Sequence, residues 1–376
     1  MNYFDHAATT QMCEEAILAY SEAARQCFGN ASSLHEIGCA ASQVLQHCRS
    51  ATADYFAVKQ ESVIFTSGGT ESNILGIETL LHNAIRERKQ IICSSLEHSS
   101  IHNLLPQLEQ KGYVIKYVNH LEDGTVCMQH LQQLVNEQTA LVIVQHGNSE
   151  IGTIQPIESI SHILDKRPIF LHVDCVQTFG KIDCQKIGQY ADSISVSSHK
   201  IYGPKGVGAL IFPKRSDLQP LNQLTTHERG FRAGTVNIPG IYSFITAARH
   251  CMKDREEDLE KIAALRSTII TELNRLDCRY QMIEGKSGQL PHILCLLFSN
   301  VQGQYVMMEL NKRGFYVSSG SACQSGSKEP SKALLAIGKD EDTAKSSIRI
   351  SLGKHNTKEQ CLHLALEITR IISAFD

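Results

Sequence analysis

The sequence predicts an α/β protein built on a mainly parallel, seven-stranded β-sheet. From about residue 60 to 212, short apolar segments rich in β-branched residues alternate with segments of helical periodicity. Strands joined by helices in this way form parallel sheets with helices on both faces. The predicted strands are residues 63–65, 91–93, 114–118, 141–144, 169–173, 193–197 and 209–212, and helical patterns near 71–86, 99–111, 129–137 and 157–165 separate the first five.

The rest of the chain predicts a second, smaller α+β domain. A length of 376 residues exceeds what a single domain of ~150 residues contains. After residue 254 a charged helix extends to about residue 276, followed by predicted strands at 293–298 and 347–352 and helices near 303–313, 331–337 and 357–374. We therefore predict a large domain over residues 13–254 and a smaller domain formed by residues 1–12 and 255–376.

Composition and charge indicate a cytoplasmic protein that binds neither nucleic acid nor a membrane directly. The 36 basic and 39 acidic residues give a net charge of −3, without the basic surplus of nucleic-acid-binding domains. The apolar runs are too short to span a bilayer, and the N-terminus lacks the charged and apolar regions of a signal peptide. The 13 cysteines are scattered without a C-x-x-C pair, which is typical of reduced thiols in the cytoplasm.

Chemically useful residues follow three of the predicted strands, at the edge where parallel sheets bind ligands. A Gly-Gly turn at residues 66–72 opens a helix and suits a phosphate, although it is also compatible with a plain tight connection. Asp174 directly follows one apolar strand. Lys200 follows another and precedes a Gly/Pro turn, where desolvation makes an amine nucleophilic toward carbonyls. The plainer interpretation of Lys200 is an exposed lysine at a strand end.

Two histidines four residues apart, His98 and His102, raise the question of a metal site. No acidic residue completes an H-E-x-x-H arrangement, and no third ligand is evident nearby. We therefore predict no metal, a stacking or acid–base role for His98 and a surface position for His102.

One cofactor uses all of these groups together. Pyridoxal phosphate (PLP) requires an anion site, a lysine for a Schiff base, a carboxylate facing the pyridinium nitrogen and a flat group over the ring. The Gly-Gly turn, Lys200, Asp174 and His98 supply one group of each kind. Because Asp174 and Lys200 follow neighbouring predicted strands, we expect both at the same edge of the sheet.

Eight segments together resemble the cysteine desulfurases, the NifS/IscS-like members of the class V aminotransferases. They are DHAATT (5–10), FTSGGTES (65–72), EH (97–98), HVDCVQ (172–177), SHKIYGPKG (198–206), HERGFRAGT (227–235), SSGSAC (318–323) and SSIRISLG (346–353). The motifs occur in family order along nearly the whole chain. The resemblance implies the PLP-dependent transferase fold type I.

The resemblance also implies roles for individual residues around the cofactor ring. Lys200 would hold PLP covalently and later move the Cα proton of the substrate. Asp174 would pair with the pyridine nitrogen, and His98 would stack on the ring and serve as an acid–base group. Gln177 would hydrogen-bond the ring hydroxyl.

Phosphate and substrate contacts follow from the same resemblance. Thr70, Ser197 and His199 would bind the phosphate, together with Thr235 of the partner subunit in a homodimer. Arg349 would bind the substrate carboxylate, for which a bidentate guanidinium is well shaped, and Asn30 would lie in a loop near the substrate.

Cys323 is the expected sulfur nucleophile. It lies in a stretch almost without apolar residues, from Ser318 to Ser331, so it is not expected to belong to a core. A mobile, exposed thiol suits a group that reaches the cofactor and then delivers sulfur elsewhere. The other twelve cysteines are interpreted as structural, with Cys175 alone near the ring.

The sequence therefore predicts a cysteine desulfurase that converts L-cysteine into L-alanine and a persulfide on Cys323. An acceptor protein would take the sulfur for iron–sulfur cluster assembly or for thiolation of tRNA or a cofactor. The alternatives are a selenocysteine lyase or other PLP-dependent β-elimination lyase, and a non-catalytic scaffold with the same fold. Two positions depart from the family, since Asn148-Ser149 replaces the usual pair of asparagines and Ala31 replaces a proline after Asn30.

Overall fold

A seven-stranded, mainly parallel sheet forms the centre of the molecule, which confirms the predicted fold class. The computed structural model describes residues 1–214, 217–221, 225–320 and 330–375. The strands in this part of the chain are β1 (Asn2–Tyr3), β2 (Val63–Thr66), β3 (Gln90–Ser94), β4 (Val114–Val118), β5 (Thr139–Gln145), β6 (Phe170–Asp174), β7 (Ser193–Ser197), β8 (Gly208–Ile211), β9 (Gln281–Ile283), β10 (Ile293–Leu297), β11 (Phe315–Tyr316) and β12 (Ser347–Ser351).

The order of strands in the large sheet is β2-β8-β7-β6-β5-β3-β4. β4, β3, β5, β6 and β7 run parallel to one another, whereas β8 is antiparallel to both β7 and β2. Strands β5 and β6 are buried along their whole length, as expected for a parallel sheet covered on both faces. The parallel pairing of β6 and β7 brings their carboxyl ends to one edge of the sheet.

Fourteen helices surround the sheets in the described part of the chain. They are α1 (Glu14–Gln26), α2 (Glu36–Asp54), α3 (Gly69–His82), α4 (Ser99–His102), α5 (Leu105–Gln110), α6 (Met128–Leu134), α7 (Ile157–Leu164), α8 (Ile187–Tyr190), α9 (Ile238–Lys253), α10 (Arg255–Arg275), α11 (Gly303–Lys312), α12 (Lys332–Ala336), α13 (Glu341–Lys345) and α14 (Lys358–Ile372). None of these helices has both the length and the apolar character needed to cross a membrane.

One predicted helix is divided in the structure. The helical pattern over residues 99–111 forms two short helices, α4 and α5, rather than one. Pro106 lies in the first turn of α5, where its missing N–H leaves no hydrogen bond unmade, whereas a continuous helix would have placed it in the interior. Helix α4 begins directly after His98 and ends at His102.

A second apolar core lies between the two smaller sheets and helices α10, α11 and α14. Strands β12, β10 and β9 form an antiparallel sheet, and β1 pairs with β11 in parallel. This core contains Phe4 and residues between 265 and 372, while the core around the large sheet contains residues between 41 and 251. The exact division of the chain into domains at residue 254 stays a prediction.

A buried ion pair fixes the edge strand β2. Arg49 of α2 contacts Glu228 at 2.8 Å, and the same carboxylate accepts a hydrogen bond of 2.7 Å from the backbone N–H of Phe65. Arg49 also donates to the carbonyl of Val63. A buried pair of this kind is stable only when its remaining polar atoms are also satisfied, as they are here by the strand backbone. The contact positions β2 immediately before the glycine turn that opens α3.

Candidate active site

The candidate site lies at the carboxyl edge of β6 and β7. β6 ends at Asp174, and β7 leads into a short 3₁₀ turn, Ser198–Lys200. The side chain of Asp174 is 6% exposed, whereas Lys200 is partly exposed. The structure therefore places the carboxylate and the amine after adjacent parallel strands, in the part of a parallel sheet where ligands usually bind.

The N-terminal segment contacts the amine of Lys200. Its Nζ donates hydrogen bonds of 2.6 and 2.7 Å to the carbonyls of Ala7 and Ala8. Gln177 donates to the same Ala7 carbonyl at 2.9 Å, and its Oε1 lies 3.3 Å from Nζ of Lys181. Burial, with the nearby charge of Lys200 as the second cause, lowers the pKa of Lys181 to about 7. The amines of Lys200 and Lys181 thus lie in the same part of the site.

A chain of hydrogen bonds orients the carboxylate of Asp174. Its oxygens accept hydrogen bonds of 2.8 Å from Nδ2 of Asn73 and from the backbone N–H of Val176. His172 lies 3.1 Å from Oδ1 of Asn73 through Nε2 and 2.7 Å from the hydroxyl of Ser193 through Nδ1. Burial lowers the pKa of His172 to about 3, so the ring is neutral and Nε2 donates to Asn73. The amide N–H₂ of Asn73 is therefore directed at the carboxylate.

His98 joins the same network. Its Nδ1 accepts a hydrogen bond of 3.1 Å from the backbone N–H of Ser100 and lies 2.9 Å from the Ser100 hydroxyl. Asn73 in turn donates to that hydroxyl at 3.0 Å. This contact caps α4 and fixes the ring that the resemblance places over the cofactor. Asp174 and His98 are linked through two residues, Asn73 and Ser100.

The turn before α3 has the backbone form of an anion site. A Cβ on Gly69 would lie 2.7 Å from Val176, and one on Gly208 would lie 2.7 Å from Cα of Gly68, so these close approaches require glycine. The hydroxyl of Ser197 is buried without a hydrogen-bond partner among the described residues and lies 3.8 Å from the position of a Cβ on Gly68. An unsatisfied buried hydroxyl beside a helix N-terminus fits a phosphate group.

His199 lies between this turn and the N-terminal segment. Its Nδ1 is 3.1 Å from the hydroxyl of Thr9, and its backbone carbonyl accepts from the N–H of Thr10 at 2.9 Å. Burial, followed by the charges of Lys200 and Lys181, lowers the pKa of His199 to about 4. The ring is therefore neutral near pH 7 and offers a hydrogen bond rather than a charge.

Arg349 of β12 faces the same edge from the second core. Its Nη2 contacts Asp5 at 2.7 Å, and its Nη1 donates to the backbone carbonyl of Ser149 at 3.0 Å. The Nε atom is buried without a partner among the described residues. At the position where the family usually has asparagine, Ser149 uses its carbonyl for this contact. The preceding Asn148 accepts hydrogen bonds from the N–H groups of Glu150 and Ile151.

A second carboxyl group, Glu97, is buried near Asp174. Burial, with the charge of Asp174 as the second cause, raises the pKa of Glu97 to about 8. Its Oε1 accepts a hydrogen bond of 2.7 Å from the backbone N–H of Gln145, and Oε2 has no partner among the described residues. Glu97 is therefore protonated near pH 7 and adds no charge at this edge.

Three of the predicted site residues are exposed on the surface of the described chain. Thr70, at the first turn of α3, and Thr235 are both exposed. Asn30 is exposed, and its side chain accepts from the N–H of Ser32 at 3.0 Å. Cys323 falls outside the residues that the structure describes.

Sequence reasoning missed the residues that orient the predicted ones. They are Asp5 beside Arg349, Asn73, Ser100 and His172 behind Asp174 and His98, and Lys181 beside Gln177. A partial signal was present, because His172 interrupts an otherwise apolar strand and is fully buried. A buried histidine needs hydrogen-bond partners, and its partners lie 21 and 99 residues away in sequence.

Comparison with known proteins is consistent with this geometry. Residues 2–364 match the family model described as Aminotransferase class-V. The chain is 42% identical over 362 residues to a putative cysteine desulfurase NifS of Bacillus subtilis, covering 96% of this chain and 92% of the relative. It is 35% identical over 370 residues to the cysteine desulfurase IscS of Dictyoglomus turgidum, covering 98% and 94%. A solved NifS-like protein superimposes with a TM-score of 0.90 at 32% identity, with both chains covered completely.

The raised pKa of Glu97 predicts how stability depends on pH. In the unfolded chain this carboxyl ionises near a pKa of 4.5, whereas the folded protein keeps the proton up to about pH 8. Between these values the native state binds more protons than the unfolded state, so the free energy of unfolding falls as pH rises. Glu97→Gln removes this titrating group. We therefore expect the free energy of unfolding of the variant to fall less steeply with pH than that of the wild type, by up to about 1.4 kcal/mol per pH unit.

Urea unfolding followed by circular dichroism at several pH values measures this effect. Glu137→Gln is the control, because the side chain of Glu137 is 98% exposed and its replacement is expected to leave the pH profile unchanged. Parallel profiles for the wild type and Glu97→Gln would show that Glu97 ionises normally in the folded protein.

Proposed function

This chain belongs to the aminotransferase class-V family and is a PLP-dependent cysteine desulfurase of the NifS/IscS type; from that premise we propose the residues that perform the reaction. L-Cysteine is converted to L-alanine, and its sulfur passes through a persulfide on Cys323 to an acceptor protein. The observation that supports this proposal best is the buried, oriented Asp174 beside Lys200 at one edge of the sheet. A carboxylate and an amine in this arrangement match the two ends of the PLP ring.

The described residues fit PLP group by group. Asp174 would pair with the ring nitrogen, Gln177 with the ring hydroxyl, and His98 would stack on the ring. Ser197, His199, Thr70 and the first turn of α3 would bind the phosphate, for which the unsatisfied Ser197 hydroxyl is the direct structural support. When bound, PLP draws electron density away from the bonds of the amino acid substrate.

Lys200 supplies the amine that attaches the cofactor and then carries a proton at Cα of the substrate. Lys181 lies nearby, and burial together with the charge of Lys200 lowers the pKa of Lys181 to about 7. The neutral form of the Lys200 amine is the form that attacks a carbonyl. The carbonyls of Ala7 and Ala8 accept hydrogen bonds from the amine and so fix its direction. Because these contacts are short, the N-terminal segment sets the position of Lys200.

Arg349 binds the carboxylate of the substrate, assisted by Asn30 from its exposed loop. The guanidinium already contacts Asp5 and the carbonyl of Ser149 and is 4% exposed. Its buried Nε without a described partner gives a donor that an incoming carboxylate can use.

Cys323 acts as the nucleophile toward the substrate sulfur. Its thiolate forms an S–S bond while the Cβ–S bond of the substrate breaks, and the electron pair of the broken bond goes to Cβ, which becomes the methyl group of alanine after protonation. The persulfide then donates its outer sulfur to an acceptor protein in the cytoplasm, for iron–sulfur cluster assembly or for thiolation of tRNA or a cofactor. The reaction needs no external oxidant, because the two electrons that the sulfur loses on becoming the outer sulfur of the persulfide are gained by Cβ of the substrate.

The cofactor assignment is tested by locating the attachment site. We expect the purified protein to be yellow and borohydride reduction to leave PLP on the peptide that contains Lys200. Lys200→Ala is expected to lose this label, whereas Lys205→Ala, an exposed lysine of the same segment, is expected to keep it. Peptide mapping by mass spectrometry reads the result, and a label on Lys205 or another lysine would refute the assignment.

The role of Cys323 is tested by Cys323→Ser. A serine hydroxyl is far less acidic and far less nucleophilic toward sulfur than a thiolate, so we expect release of alanine and sulfide to fall at least a hundredfold. L-Cysteine is still expected to change the absorbance of the bound cofactor, because Lys200 and Arg349 are intact. In the wild type, brief exposure to L-cysteine is expected to add one sulfur to the peptide containing Cys323.

Cys39→Ser is the control, since Cys39 is an exposed cysteine without a proposed role in the reaction, and the turnover of this variant is expected to match the wild type. Normal alanine release by Cys323→Ser would instead indicate a β-elimination lyase. A wild-type protein that binds PLP but turns over neither cysteine nor selenocysteine would indicate a non-catalytic scaffold.

A homodimer completes the proposed phosphate site. Thr235 is exposed in the single chain, which suits a residue that reaches the phosphate of a partner subunit. Phe28 and Leu34 expose 69% and 97% of their surface, and large exposed apolar side chains are typical of surfaces covered by another chain.

We therefore expect light scattering to give twice the chain mass of 41.7 kDa. Thr235→Ala is expected to remain dimeric and to retain PLP several-fold less tightly during dialysis. A fully active monomer would contradict this assembly.

A further inference from the structure

A cluster of two cysteines and one histidine lies next to Asp174 and has no part in the proposed reaction. His146 follows β5, Cys175 follows Asp174, and Cys184 lies in the loop that leads to α8. Among the described residues these three form the only group of histidine, cysteine or acidic side chains whose ligand atoms all lie close together, within 4.8 Å of one another. All three residues are buried.

We propose that His146, Cys175 and Cys184 form a structural zinc site. The residue types are those of zinc centres with mixed sulfur and nitrogen ligands, in which thiolates and one imidazole surround the ion. None of the three residues is among those assigned to the cofactor or the substrate. It does not depend on the proposed desulfurase reaction.

The separation of the ligand atoms is close to that in a zinc site. Sγ of Cys184 lies 3.8 Å from Nδ1 of His146. With Zn–S near 2.3 Å, Zn–N near 2.0–2.1 Å and a tetrahedral angle, sulfur and nitrogen ligands of one ion are separated by about 3.5 to 3.6 Å. The same nitrogen is hydrogen-bonded to the hydroxyl of Thr178 at 3.0 Å. Zinc would replace this hydrogen bond and leave the hydroxyl oxygen next to the position of a fourth ligand.

The charge balance favours a divalent ion. Two thiolates and one neutral imidazole carry a charge of −2, so zinc makes the buried cluster neutral and avoids the high cost of burying net charge. A monovalent copper ion would leave one negative charge beside the carboxylate of Asp174.

The site would connect three chain segments around the cofactor carboxylate. The backbone N–H of His146 donates to the carbonyl of Asp174 at 2.8 Å, and Cys175 is the next residue after Asp174. A metal shared by His146, Cys175 and Cys184 therefore fixes both sides of the strand end that carries Asp174. Because the cluster is buried, the ion would enter while the protein folds, and its binding would add to folding stability.

Sequence reasoning had no basis for this site. The three ligands are 9 and 29 residues apart along the chain and follow none of the common zinc spacings, and the two cysteines were interpreted as structural. The three ligand atoms come together because β5 and β6 are neighbouring strands and because the loop that contains Cys184 folds back beside them.

Metal analysis of the full-length protein tests the proposal. We expect protein produced in zinc-supplemented medium, purified with a histidine-free tag, to contain about one zinc per chain. Cys175→Ser and Cys184→Ser are expected to reduce the zinc content at least tenfold. Cys251→Ser, which changes another buried cysteine, and Cys323→Ser are expected to keep it, which separates this site from adventitious binding by the sulfur-transfer cysteine.

X-ray absorption at the zinc edge gives a second measurement on the wild-type protein, which stays informative if the variants fold poorly. We expect two sulfur neighbours near 2.3 Å and at least one nitrogen near 2.0–2.1 Å. The assignment would be overturned if wild-type protein produced with added zinc contained none. It would also be overturned if a double variant with Cys175→Ser and Cys184→Ser retained zinc, or if the protein contained copper in place of zinc. Failure of the desulfurase assays would leave these results unaffected.

Discussion

The buried carboxylate of Asp174 is the constraint on which the rest of the candidate site depends. An ionised group at the end of an apolar strand is costly unless donors surround it. Here the backbone N–H of Val176 and the amide of Asn73 supply those donors, and His172 fixes the direction of the amide. Since His172 in turn accepts from Ser193 on β7, the sheet itself orients the carboxylate.

This arrangement explains why so many titratable groups near Asp174 are neutral. Burial raises the pKa of Glu97 to about 8 and lowers those of His199 and His172 to about 4 and 3. Near pH 7 each of these groups therefore contributes hydrogen bonds without adding charge. Burial thus keeps these three side chains neutral beside the residues that the resemblance assigns to the reaction.

The sheet and the main chemical residues could be predicted from the sequence because their signals are local. Strands of the parallel sheet are short apolar runs, and Asp174 and Lys200 directly follow two of them. The supporting residues could not be predicted in this way. Asn73 and Asp174 are 101 residues apart, and Asp5 and Arg349 are 344 residues apart. Such pairs depend on the register of the packed fold, which no local pattern in one sequence specifies.

The N-terminal segment shows how such distant contacts affect the chemistry. Its carbonyls at Ala7 and Ala8 accept hydrogen bonds from Lys200, while Asp5 neutralises Arg349 at 2.7 Å. A substrate carboxylate that binds Arg349 therefore competes with Asp5 for the same guanidinium. Because Asp5 and Ala7 belong to one short stretch, a shift of Asp5 changes the hydrogen bonds of Lys200 as well. If Arg349 and Lys200 have the proposed roles, the first residues of the chain would couple binding of the substrate carboxylate to the position of the reactive amine.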